Sequence, residues 1–114
     1  AVNVATSGAA IAHGAPYHAD GTNVNFVEVI AADGLYVRTF ERGVEAETLS
    51  CGTGVTAAAI GGHLSKRINA EKINVQTKGG VLTVSFSATS DKYESVVLQG
   101  PAIPVFSGKW EITI

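Results

Sequence analysis

From Gly52 to Ser65 the chain carries no Asp, Glu, Lys or Arg, and its apolar residues Val55, Ala57, Ala58, Ala59, Ile60 and Leu64 do not keep to one stripe. A run of this composition predicts a helix over residues 52 to about 66, ended by Lys66-Arg67. Because it is apolar on nearly every face, such a helix has to be buried. It is too short to cross a bilayer, so its cover must be protein, packed against it on several sides. The Ala and Gly content lets strands approach it closely. Any fold for this chain must therefore supply a sheet that wraps a central helix.

Strands for that sheet are legible on both sides of the helix. Asn23 to Val29 alternates polar with apolar residues and is rich in β-formers, and Leu35 to Glu41 follows after Ala32-Asp33-Gly34, a hairpin signal. Gly43 to Ser50 is polar with two extra acids and reads as a surface loop. Beyond the helix, Lys72 to Thr77, Val81 to Ser87, Glu94 to Leu98 and Ile103 to Phe106 read as strands, with Gly79-Gly80 as a tight turn and Trp110 to Ile114 as a final strand. Residues 1–20 are rich in Ala and Gly without clear periodicity and read as a poorly defined lead-in, as if the chain were entered midway. With 114 residues and 46% apolar content, one domain over 1–114 is expected. The fold class is α+β, a sheet rolled into a barrel or half-barrel around one buried central helix.

The only cysteine stands where that helix begins, in Leu49-Ser50-Cys51-Gly52-Thr53-Gly54, and follows a strand that ends in Glu41-Arg42-Gly43. The Gly-Thr-Gly turn exposes backbone amides, and a helix N-terminus attracts anions. A sulfur held there is stabilised as the thiolate and becomes a base or nucleophile. A free cysteine can also be one more small buried apolar residue. Two glycines flanking Thr53, with Glu41 and Arg42 close in sequence, favour the reactive reading. For Glu41 and Arg42 the plain alternative is a strand-end ion pair, and for Asn23 it is turn chemistry after Gly21-Thr22. His13, His18 and His63 match no ligand spacing, so no metal is expected, and Gly-Thr-Gly lacks the further glycine and acid of a dinucleotide site. Eight basic against ten acidic residues, net −2, offer no cationic surface for nucleic acid. One cysteine makes no internal disulfide, and neither a leader pattern nor a long apolar span is present. A cytoplasmic, soluble protein without membrane contact is the expectation.

Several segments taken in order resemble the C-terminal half of diaminopimelate epimerases. They are Gly21-Thr22-Asn23-Val24-Asn25-Phe26-Val27, Val37 to Gly43, Glu47 to Gly54, Lys78-Gly79-Gly80 and Leu98-Gln99-Gly100-Pro101-Ala102. The pairing of Glu-Arg-Gly with Cys-Gly-Thr-Gly at this spacing carries the resemblance. It implies the C-terminal lobe of a two-lobe, cofactor-free isomerase that interconverts LL- and meso-diaminopimelate, on the path to lysine and peptidoglycan. One cysteine from each lobe faces the α-carbon, and inversion without a cofactor needs two such bases on opposite sides. On that resemblance Cys51 is the catalytic acid/base. Gly52 and Thr53 supply amides for the carboxylate at the reacting carbon. Asn23, Glu41 and Arg42 hold the distal polar groups of the substrate.

Two departures accompany the resemblance. The family's first cysteine, in a Gly-Asn-Gly-like stretch, and its Gly-Asn-Pro-His-like segment are not in this sequence. Val44-Glu45-Ala46-Glu47-Thr48-Leu49-Ser50 is also one residue longer than the commonest pattern. The chain alone is therefore expected to be inactive and to self-associate through the face meant for its N-terminal lobe, with residues 110–114 as a strand able to pair with that lobe. The competing readings are a related cysteine racemase of the proline-racemase kind and a non-catalytic small-molecule binding module with a structural Cys51.

Overall fold

The computed structural model describes residues 1–114. Its elements run α1 (Val4–Ala12), β1 (Val24–Ala31), β2 (Gly34–Glu41), β3 (Ala46–Thr48), α2 (Gly52–Leu64), β4 (Lys72–Thr77), β5 (Gly80–Ala88) and β6 (Tyr93–Gln99). One mixed sheet has the order β1-β2-β4-β5-β6, with β3 as an extra partner of β2. The hairpins β1–β2, β4–β5 and β5–β6 are antiparallel. β2 and β4 pair in parallel, Gly34 opposite Asn74 to Tyr36 opposite Gln76, and α2 lies in the long connection that a parallel pair requires.

β1 borders β2 along its whole length, so β3 and β4 share the other side of β2. β4 takes the first half of β2 and β3 takes Thr39 to Glu41. The turn after β4 therefore meets the residues that follow β3.

Alternation along β2 sends its side chains to two different partners. Leu35 and Val37 join Val55, Ala58 and Ala59 of α2 and the inward residues of β4 and β5 in a cluster of ten buried residues. Phe40 points the other way and is buried against Val4 and Ala12 of α1. Val4, Gly8 and Ala12 recur every fourth residue, which puts them on one face of α1. A Cβ at Gly8 would lie 2.3 Å from the Phe40 Cβ, so the glycine is what lets the helix sit this close to the strand.

Five expectations are corrected. Residues 1–20 contain a helix, α1, capped by the Asn3 side chain, which accepts from the Thr6 amide at 3.1 Å. Gly43 to Ser50 contains a strand, because Ala46 to Thr48 have β2 to pair with. The tight turn after β4 is Lys78-Gly79, one residue earlier than expected, since Thr77 pairs with Gly80. α2 is not enclosed: Gly54, Val55, Ala58 and Ala59 are buried, while Thr53, Ala57, Gly61 and Leu64 face outward. The expected sheet is present in its half-barrel form: it ends at β1 and β6 without closing, and covers one side of the helix. Finally, Ile103 to Phe106 and Trp110 to Ile114 are neither strand nor buried. Alternation alone makes no strand without a partner to complete its hydrogen bonds.

Candidate active site

Cys51 is the N-cap of α2, with extended backbone angles and no side-chain capping bond of its own. Its carbonyl accepts the Val55 amide at 2.8 Å, the first bond of the helix. The amides of Gly52, Thr53 and Gly54 precede that bond and have no acceptor in the chain, so the positive end of the helix is presented beside the sulfur. The Cys51 Sγ lies 3.5 Å from the Thr53 hydroxyl, and the residue is only 8% exposed.

Sequence chemistry explains why the helix begins so cleanly here. A Cβ at Gly52 would stand 2.9 Å from Leu98 of β6, and one at Gly54 would stand 2.4 Å from the Asn25 Oδ1 of β1. Both glycines let the first turn lie between two strands. Asn25 is fixed in turn by the Thr39 hydroxyl, which donates to its Oδ1 at 2.7 Å.

Around the sulfur lies an open depression of about 730 Å³, lined by Glu41, Cys51, Gly52, Thr53, Ile60 and Leu98 among others. The last residue of β2 and the first turn of α2 thus contribute a carboxylate, a thiol and free amides to one concavity. Asn23 and Arg42 lie outside it. The Asn23 Oδ1 accepts the Arg42 amide at 2.8 Å, and the Arg42 guanidinium donates to the Asp20 carbonyl at 2.9 Å, packed over Gly21, whose φ is +71°. Of the six residues singled out by sequence, four share the depression and two form an adjoining pair, joined to it through the Glu41-Arg42 peptide.

Two neighbouring residues escaped the sequence reading. Asn25 could have been found, since β1 alternation puts it on the same face as Asn23. Glu47 was read as one of two loop acids. It accepts from Arg38 Nε at 2.7 Å, from Arg38 Nη2 at 2.8 Å and from Lys78 Nζ at 2.9 Å. The Arg38 hydrogen bonds, helped by Lys78, lower its carboxyl pKa to about 2 against the opposing effect of partial burial.

The histidines are dispersed. His13 pairs with Glu45 and holds that carboxyl below its usual range, while His63 Nδ1 meets the Tyr93 hydroxyl at 2.9 Å and packs edge-on against Phe86. No three His, Cys, Asp or Glu side chains gather as a metal set. A second groove of about 400 Å³ runs between β1 and the outward face of α2, past Val27, Val29, Ala57 and Gly61. No helix is long and apolar enough to cross a membrane.

Comparison with known proteins adds to this geometry. The family model described as diaminopimelate epimerase matches residues 1–105. Among curated proteins, the diaminopimelate epimerase of Aquifex aeolicus is 45% identical over 109 residues, covering 95% of this chain and 38% of the relative. That of Chlorobaculum tepidum is 44% identical over 108 residues, 94% of this chain and 41% of the relative. That of Methanothrix thermoacetophila is 50% identical over 90 residues, 78% and 29%. The chain spans about two fifths of the length of the first two relatives.

Proposed function

Since this chain belongs to the diaminopimelate epimerase family, we propose that it is the C-terminal lobe of a cofactor-independent epimerase acting on diaminopimelate in the cytoplasm, with Cys51 as one of two acid/base cysteines. The observation that carries this reading is the joint placement of the Cys51 sulfur, the unpaired Gly52 and Thr53 amides and the Glu41 carboxylate around one depression.

An α-proton of an amino acid is weakly acidic, and its removal piles charge onto the adjacent carboxylate. Amides aimed from a helix N-terminus stabilise that charge without having to reorganise. The sulfur beside them takes the proton from one face or returns one to it. Inversion requires a second base on the opposite face, which in this reading belongs to the N-terminal lobe. Ile60 and Leu98 give the depression an apolar wall beside the sulfur. Glu41 meets the substrate's distal ammonium group, while Asn23 and Arg42 order the wall behind it and reach the distal carboxylate once the other lobe closes. The product supplies lysine and peptidoglycan synthesis.

The test uses the full-length protein. Cys51→Ala should lower epimerisation of LL-diaminopimelate by about 10²–10⁴-fold, the usual range for removing a positioned general base. The separate 114-residue chain should not wash deuterium out of the substrate's α-position. Undiminished turnover by Cys51→Ala would sink the assignment of the base.

A further inference from the structure

Cys51 hangs from a short leash. Between the end of β3 at Thr48 and the start of α2 at Gly52 there are only Leu49, Ser50 and Cys51 itself. Thr48 offers no side-chain hold, because its buried hydroxyl has no partner. Two other contacts fasten this stretch. Glu47 is gripped by both Nε and Nη2 of Arg38 from β2 and by Lys78 from the β4–β5 turn. Two residues on, the Leu49 carbonyl accepts the Gly79 amide at 2.8 Å. A Cβ at Gly79 would come within 3.2 Å of that carbonyl, so the close approach depends on glycine. Lys78 and Gly79 are adjacent, and both reach the cysteine's approach because β3 and β4 lie end to end beside β2. Arg38 also donates to the Val2 carbonyl at 3.0 Å, which brings the chain's first residues into the same arrangement.

The structure assigns to Glu47 a positioning role: clamped by Arg38 and Lys78, it fixes where the Cys51 sulfur sits against the first turn of α2. The bidentate Arg38 contact sets direction as well as distance. The side chains of Glu47 and Arg38 are 14% and 22% exposed, so the pairing is partly shielded from water. Glu47 touches no reacting atom in the proposed reaction. It acts through Leu49 and Ser50, and its importance for catalysis rests on the proposed role of Cys51, though its effect on the thiol does not.

Alkylation of Cys51 by iodoacetamide, followed by intact mass on the 114-residue chain in zero to low urea, reads that effect. Cys51 is only 8% exposed although it lines the depression, so a fixed loop slows the approach of the reagent to the sulfur. Glu47→Gln keeps the shape but points a donor at Arg38 or Lys78, and should speed alkylation at least about fivefold, with a rate flat in low urea because the release is local. Lys78→Met, which leaves the Arg38 pair intact, should speed it about twofold in the same urea-independent way. Val84→Ala, buried in the core far along the chain, should raise the rate only in step with global unfolding. A wild-type rate in Glu47→Gln, or an increase that tracks global unfolding, overturns the proposal. If Glu47→Gln does not fold, Lys78→Met decides: a urea-independent increase supports the clamp and an unchanged rate overturns it. Because no turnover is measured, a failed epimerase assay leaves this result standing, and a failed clamp leaves the epimerase reading standing.

Discussion

The two faces of the sheet are held by different physics. On the α2 face ten buried apolar residues from α2, β2, β4, β5 and the segment after the helix make one continuous core. On the α1 face only Val4, Ala12 and Phe40 are buried together, and the remainder of the hold is polar: Arg38 with Glu47 and the Val2 carbonyl, and His13 with Glu45. Volume fixes one side, while directional and ionic contacts fix the other. Cys51 lies where they meet, on the short link from β3 to α2. Leu35→Ala tests the stronger side. The residue is fully buried, so the substitution should cost about 2–5 kcal/mol in urea unfolding, the transfer and cavity terms together. A loss below about 1 kcal/mol would mean that this core can collapse and does not dominate stability.

Gly8→Ala tests the thin side, with two effects opposed. Alanine improves helix propensity over glycine by about 1 kcal/mol. Its Cβ, however, would lie 2.3 Å from the Cβ and 2.6 Å from the Cγ of Phe40, atoms that cannot swing away as a side-chain tip can. Overpacking costs about 1–3 kcal/mol, so the expected outcome is a net loss of roughly 1 kcal/mol and a lower Tm. A stabilised Gly8→Ala would show that α1 slides freely on the sheet, and the contrast between the faces would then be one of order as much as of chemistry.

The same contrast decides what could be read in advance. α2 and the strands β1, β2, β4, β5 and β6 announced themselves because each has a local periodicity that matches its burial, as in Lys72–Thr77, whose residues alternate exposed and buried without exception. α1 did not, because a stripe of Val, Gly and Ala has little contrast with the Ala and Gly around it. β3 is three residues long and exists only through β2, a partner its own sequence does not mention. The tail shows the converse: alternation at Trp110 to Ile114 is local, whereas strand formation is not. At the site, Glu41 beside Cys51 followed from a strand end and a helix start, both legible. The turn of Arg42 onto Asp20 did not, because it depends on the positive φ of Gly21. Glu47 was invisible for a similar reason, since its partners lie on β2 and beyond β4.

Acid should separate the two faces. Glu47 has a pKa of about 2 in the folded chain against an ordinary 4.5, so the unfolded state binds its proton first as pH falls. The stability it contributes is therefore complete above about pH 4.5 and is lost progressively as pH drops through about 2. Glu45, also lowered by its partner His13, acts in the same direction on the same face. No carboxylate ties α2 to the sheet, whose contacts there are apolar apart from the hydrogen bond between His63 and the Tyr93 hydroxyl. Hydrogen exchange between pH 5 and 2, corrected for the intrinsic rate, should show amides of Val4–Ala12 and Ala46–Thr48 losing protection before those of β4 and β5. Glu47→Gln should remove most of that acid dependence while lowering global stability less than either core substitution, because a partly exposed ion pair contributes little to the whole and much to one local geometry. If both faces release together, stability is cooperative across the sheet, and the clamp on Cys51 can open only when the core does.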